Sequence, residues 1–153
     1  MLHAGFTYKT GSLKAICSVE GNAEFDQVAK ELDVPFKRTG KLIVGFTNED
    51  MESLLRFKAR GEANGVPGLE IIDRERMDEI DESAGGNFAM YAPTSGILNP
   101  FIYTIALAEN AKNNGADFFF DNEVTAIKTM EDGTQMCIRD RHHTTPLQKC
   151  ASG

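Results

Sequence analysis

Hydrophobic positions recur at helical spacing from Leu13 onward: Leu13, Ile16, Val19 and Ala23, then Phe25, Val28, Ala29 and Leu32. That spacing gathers them on one side of a helix running to about Leu32. Ser12 caps its start by accepting a hydrogen bond from a free N–H of the first turn. Gly21-Asn22 is where such a helix could bend. Asp33-Val34-Pro35 ends it, because the residue before proline avoids the helical region. From Phe36 to Phe46 the period drops to two. Leu42, Val44 and Phe46 share one face and Lys41, Ile43 and Gly45 the other, which predicts a strand. Asn48 is the expected cap of a second helix, with Glu49, Asp50 and Glu52 near its positive end. Met51, Leu54, Leu55 and Phe57 are its apolar residues, and Asn64-Gly65 stops it.

The rest of the chain continues the alternation of strand and helix. Leu69 to Ile72 reads as a short strand, and Asp73 caps a charged helix whose apolar side is Met77 and Ile80. Ala84 to Asn87 is a loop, Phe88 to Ala92 a strand, and Pro93 to Gly96 a turn out of it. Asn99-Pro100 starts another helix, since proline fits the first helical position. That helix carries Ile102, Ile105, Ala106 and Ala108 and ends at Asn113-Asn114-Gly115. Asp117 to Phe120 and Glu123 to Lys128 read as two strands. From Thr134 to Gly153 neither period is sustained, which predicts little order. Gln135 to Arg141 also resembles translated adapter sequence, so this tail is expected to be foreign to the natural protein.

Composition narrows the class. The chain has 153 residues, 41% hydrophobic and 25% charged, which suits a soluble globular protein of one domain or parts of two. A net charge of −7 argues against a nucleic-acid partner. No apolar run reaches the roughly 18 residues of a transmembrane helix. Met1 to Phe6 lacks the basic start of a signal peptide. Cys17, Cys137 and Cys150 are odd in number and show no CxxC spacing. A reducing compartment follows, so the cytoplasm is the expected location, with attachment to the inner face of the membrane left open.

Few motifs carry chemistry. The fingerprint G-x-G-x-x-G needs two glycines two positions apart, and none of the 14 glycines has such a partner. Gly40 to Thr47 has the glycine spacing of a phosphate-binding loop, but Phe46 stands where its lysine belongs, so it reads as a strand. His142-His143 lacks further ligands at metal spacing and reads as exposed tail, so no metal is expected. Glu79, Asp81 and Glu82 read as a solvated face, and Cys17 as a small buried hydrophobe. The informative stretch is His3-Ala4-Gly5-Phe6-Thr7-Tyr8-Lys9-Thr10-Gly11-Ser12-Leu13-Lys14-Ala15. It joins an imidazole, a flexible backbone and a helix start, a combination that can approach an anion or an aromatic ring. On the residues alone, a stand-alone α/β anion-binding module without redox activity stays open.

That stretch resembles the HxG…Y…GSLKA signature of flavoenzymes of the D-amino-acid-oxidase superfamily. It is most similar to the branch of L-2-hydroxyglutarate oxidases and anaerobic-type glycerol-3-phosphate dehydrogenases. Leu32 to Leu42 resembles the family's crossing into its substrate domain, Tyr91 to Pro100 the return, and Asn114 to Ile127 a strand pair near the adenine. The resemblance implies a mixed α/β fold: a Rossmann-like FAD-binding domain, here partial, interrupted by a substrate-binding domain. Residues 1–34 and 93–133 would belong to the first, 35–92 to the second, and 134–153 to the tail.

The resemblance further implies FAD as cofactor and hydride transfer from a hydroxy acid or polyol phosphate to the flavin. His3, Ala4 and Gly5 would pass beside the flavin ring, and Tyr8 would face the flavin or the substrate. His3 is the candidate base, since imidazole exchanges protons near neutral pH; an electrostatic or structural role stays open for it. Val124 would meet the adenine through its backbone, or be an ordinary buried strand residue. Arg38 and Lys41 are candidate partners for a substrate carboxylate or phosphate, or surface cations. The acceptor of the electrons stays open among a quinone, oxygen and a partner subunit. The family's phosphate loop precedes the histidine stretch, and its closing segments follow Gly133. The isolated chain is therefore expected to be inactive.

Overall fold

The computed structural model describes residues 1–133 and 135–140. The chain forms two compact units, residues 1–111 and a second beginning at Lys112. The fold is mixed α/β, as the resemblance implied, and each strand pairing among the described residues is antiparallel.

In the first unit α1 (Leu13–Glu31) runs unbroken through Gly21-Asn22. The expected bend is absent because Asn22 is buried and its side chain is fully engaged elsewhere in the unit, so it does not compete for the helix's own backbone. Ser12 caps the helix by accepting from Ala15 N–H at 3.2 Å. The buried face is Ala15, Asn22, Phe25 and Ala29. The sequence pattern placed it through Leu13 and Ile16, but Leu13 is 78% exposed.

The expected Phe36–Phe46 strand is two strands in different sheets. β1 (Phe36–Lys37) pairs with β5 (Ile97–Leu98), while β2 (Leu42–Gly45) pairs with β4 (Phe88–Tyr91). Gly40 makes the break: its φ is +70°, and an added Cβ would lie 2.4 Å from the Tyr91 ring. β3 (Glu70–Asp73) completes a three-stranded sheet in the order β2-β4-β3. One row across it is Ile43, Met90 and Ile71, and the neighbouring row is Val44, Ala89 and Ile72.

Side chains alternate faces along each strand, so the sheet carries two cores. Met90 and Ile43 face Leu54 and Phe57 of α2 (Asn48–Ala63), together with Ala4 and Phe6. Ala89 and Ile72 face Met77 of α3 (Arg74–Ile80). A third cluster joins Leu2, Phe25, Ala29 and Val34 to Phe36, Leu98 and Tyr103, the last on α4 (Pro100–Asn113). Phe25 meets Phe36 and Tyr103 edge-on, with ring centroids 5.1 and 5.6 Å away.

Asp73 caps α3 and Asn99 caps α4, as the sequence predicts. The cap of α2 is Thr47, one residue before the expected Asn48. Thr47 wins because Asp50 lies three residues on and closes a reciprocal capping box with it. Asp50 accepts from the N–H groups of Phe46 and Thr47, and these bonds hold its carboxyl below the usual carboxylate range. Thr47→Ala is therefore expected to cost about 1 kcal/mol in urea unfolding. The Asp50 contribution is present above the unfolded aspartate's range and is lost as pH falls through its lowered folded value. The stability gap between wild type and Asp50→Ala should thus close in acid.

In the second unit β6 (Glu123–Thr129) pairs with β7 (Gln135–Asp140). β7 overturns the expected lack of order at those residues. Gly133, at φ +81°, donates to the Met130 carbonyl and closes the hairpin that gives β7 its partner. Asp117–Phe120 is not a strand: the three phenylalanines are exposed, and the rings of Phe118 and Phe120 stack. His142, His143 and Cys150 lie outside the described residues. Among the described residues no helix is long and apolar enough to cross a membrane.

Candidate functional site

The stretch from Leu2 to Tyr8 links two of the cores. Leu2 is buried beside Phe25, whereas Ala4 and Phe6 are buried against the sheet. Alternation along this extended stretch leaves the His3 side chain exposed. Leu2 and Gly96 exchange backbone hydrogen bonds of 2.8 and 3.1 Å, which ties the stretch to the turn leaving β4. The His3 and Tyr8 rings stand 6.3 Å apart, and the Lys14 ammonium lies 4.7 Å from the Tyr8 ring centroid. An open pocket of about 330 Å³ beside His3 is also lined by Cys17, Ser18, Asn22, Phe25 and Tyr103. That volume is at the lower end of small-molecule sites.

Two asparagines brace the stretch. Asn22 is 6% exposed, and its amide donates to the carbonyls of His3 and Thr94, each at 3.0 Å. Asn64, at the end of α2, donates to the carbonyls of Gly5 and Tyr8, each at 3.0 Å. Arg60 adds a bond to the Thr7 carbonyl. In the sequence Asn22 marked only a possible helix bend and Asn64 only a helix stop, because each acts on residues far away along the chain.

The structure separates the residues singled out from the sequence. Ala4 and Gly5 are buried, so neither presents a side chain to a ligand, and any contact would use their backbone. Gly5 has φ +102°, and an added Cβ would sit 2.9 Å from Val19 Cγ2, so its lack of a side chain serves packing against α1. Arg38 is not a free cation. It donates to Asp26 through Nε, to Asn22 Oδ1 and the Thr94 carbonyl through one terminal nitrogen, and to the Asn22 carbonyl and Asp26 through the other. Those bonds use all five N–H groups of a guanidinium. The Arg38 bond and charge hold Asp26 below the usual carboxylate range.

Lys41 immediately precedes β2, and its ammonium lies 5.8 Å from the Phe6 ring centroid, on the same side of the sheet as the His3 stretch. Val124, in the second unit, is 55% exposed. Cys17 is exposed rather than buried, because the buried face of α1 runs through Ala15 and Asn22. Glu79 pairs with Arg76 on the surface, and no three potential metal ligands cluster among the described residues.

Two buried polar atoms have no partner among the described residues, Asn64 Oδ1 and Thr94 Oγ1. Asn64 braces the Leu2–Tyr8 stretch, and the Thr94 carbonyl shares the Asn22 amide with that of His3. Buried polar groups are ordinarily satisfied, so polar ligand atoms or water fit there. An exposed imidazole with a phenol ring 6.3 Å away, beside an open pocket lined by Ser18, Asn22, Phe25 and Tyr103, suits the flat, polar-edged ring of a flavin.

Comparison with known proteins gives a consistent picture. The family model described as FAD dependent oxidoreductase (DAO) matches residues 1–149. A glycerol 3-phosphate dehydrogenase of Caloramator mitchellensis is 40% identical over 154 aligned residues, covering 99% of this chain and 32% of that protein. A mitochondrial L-2-hydroxyglutarate dehydrogenase of Nematostella vectensis is 31% identical, covering 96% of this chain and 32% of the relative. The chain thus spans about a third of the length of these relatives. Among solved structures, an L-alpha-glycerophosphate oxidase from Mycoplasma pneumoniae with FAD bound superposes with a TM-score of 0.79. It is 22% identical, over 95% of this chain and 39% of that one, a likeness of fold.

Proposed function

We propose a function from the premise that this chain belongs to the family of FAD-dependent oxidoreductases. The protein that carries it oxidises a secondary alcohol bearing an anionic group, of the kind represented by glycerol 3-phosphate or 2-hydroxyglutarate, the compounds for which its relatives are named. The observation that carries this reading is the braced Leu2–Tyr8 stretch, with its exposed His3 beside the pocket. Bound FAD would accept the hydride.

The chain's own residues do the remaining work. His3 takes the hydroxyl proton as the carbon gives up its hydride, so the alcohol becomes a carbonyl and both hydrogens are accounted for. Tyr8 lies beside the same ring site. The backbones of Ala4 and Gly5 would border the flavin, and the Val124 backbone would serve the adenine. Lys41 pairs with the substrate's carboxylate or phosphate, and Arg38 is withdrawn from that role by its internal bonds. Residues 1–34 and 93–133 serve the cofactor and residues 35–92 the substrate. The acceptor of the electrons is a quinone, oxygen or a partner subunit. The protein works in the cytoplasm or at the inner face of the membrane.

The test is steady-state oxidation of glycerol 3-phosphate and of L-2-hydroxyglutarate by the full-length protein with an artificial electron acceptor. One of the two should turn over. Lys41→Met should raise KM about 10- to 100-fold with kcat little changed, the signature of a lost charge-assisted ground-state contact. Turnover of neither compound, or a KM untouched by Lys41→Met, would refute the assignment.

A further inference from the structure

We infer that Asn22 and Arg38 are positioning residues that fix the backbone of His3 against the turn at residues 94–96. The inference deepens the function proposed above and rests on it only for its consequence at the flavin. The geometry leaves the Asn22 amide one orientation. Its Oδ1 accepts from Arg38 at 3.0 Å, and a guanidinium only donates. The amide nitrogen must then point the other way, and its two hydrogens meet the carbonyls of His3 and Thr94.

Arg38 is itself held. Asp26, one turn further along α1, takes two of its bonds, and the Asn22 carbonyl takes another. It also donates to the Thr94 carbonyl at 2.6 Å. The Thr94 carbonyl thus receives both Asn22 and Arg38, while the His3 carbonyl receives Asn22. Beside them the Leu2–Gly96 bridge joins the same two backbone segments. Four pieces of chain meet at this bracket: α1, the segment after β1, the turn after β4 and the His3 stretch. Arg38 acts on His3 through Asn22 without touching it.

The bracket predicts a local effect that a purely stabilising contact would not give. Asn22→Asp keeps the side-chain shape and the acceptor for Arg38 but removes both donors. Amide hydrogen exchange is followed on the full-length protein without FAD, at the bridging Leu2 and Gly96 N–H groups and in β4. Met77→Ala, which empties the core under α3, is the control for general destabilisation. Asn22→Asp should speed exchange at Leu2 and Gly96 by about tenfold relative to β4, whereas Met77→Ala should not single them out. Arg38→Lys keeps the charge near Asp26 but loses the planar fork, and should show a smaller rise at the same two amides. It also serves as the readout should Asn22→Asp fail to fold. Unchanged protection at Leu2 and Gly96, or a rise no more selective than that of Met77→Ala, would overturn the inference. With FAD added, the visible flavin band should shift in Asn22→Asp. A protein that binds no FAD at all refutes the proposed function, while the exchange result still decides the bracket.

Discussion

Gly61→Val is expected to lower folding stability by about 3 kcal/mol, at the upper end for overpacking. Gly61 lies in the last turns of α2, where the helix crosses the Leu2–Tyr8 stretch. An added Cβ would fall 2.2 Å from Leu69 Cδ1 and 2.7 Å from Phe6 Cβ. The Leu69 methyl can swing away. Phe6 Cβ cannot, because it is fixed to the backbone, and Phe6 Cα is itself only 3.4 Å from the added atom. The stretch would have to retreat by about 1 Å to restore ordinary contact distances. The gain in helix propensity over glycine, about 1 kcal/mol at most, does not offset this. Urea unfolding reads the loss. Unchanged stability would mean that α2 and the His3 stretch are not pressed together as described.

His3→Ala should reduce kcat about 10²- to 10⁴-fold, the range for removal of a general base. His3→Gln separates proton transfer from packing, since it keeps polar bulk but cannot take the proton. A loss in kcat of less than about tenfold would reduce His3 to a structural neighbour of the flavin. The exposed imidazole is compatible with contact to a substrate. The braced carbonyl of the same residue fixes the backbone from which the ring projects, and productive geometry tolerates little displacement.

Much of this architecture was readable locally. Ser12, Asp73 and Asn99 announced their helices because a cap needs only its own next few residues. The alternation at Leu42 to Gly45 gave β2 correctly, but the turn at Gly40 was invisible without the Tyr91 ring that fills its missing side chain. The single strand expected across Phe36–Phe46 failed for that reason. β7 was missed because its order comes from pairing with β6 and not from its own period. The resemblance located the His3 stretch, yet its bracing lay beyond local reading. Asn22 and Asn64 act on residues 19 and 59 positions away. Arg38 showed as a cation by type, and only its long-range partners reveal it as a bracket. The close approach of Phe6 to Gly61 likewise joins residues far apart in the chain.

The central claim is that the His3 stretch forms one wall of a flavin site in an alcohol-oxidising enzyme. Its most direct test is the visible spectrum of the full-length protein, purified, supplied with FAD and then mixed with glycerol 3-phosphate or L-2-hydroxyglutarate without oxygen. The account predicts about one FAD retained per chain, bleaching of the flavin band by one of the two compounds, and loss of that bleaching in His3→Ala with the FAD still bound. A protein that retains no FAD, or whose flavin is reduced as fast in His3→Ala as in wild type, would contradict it.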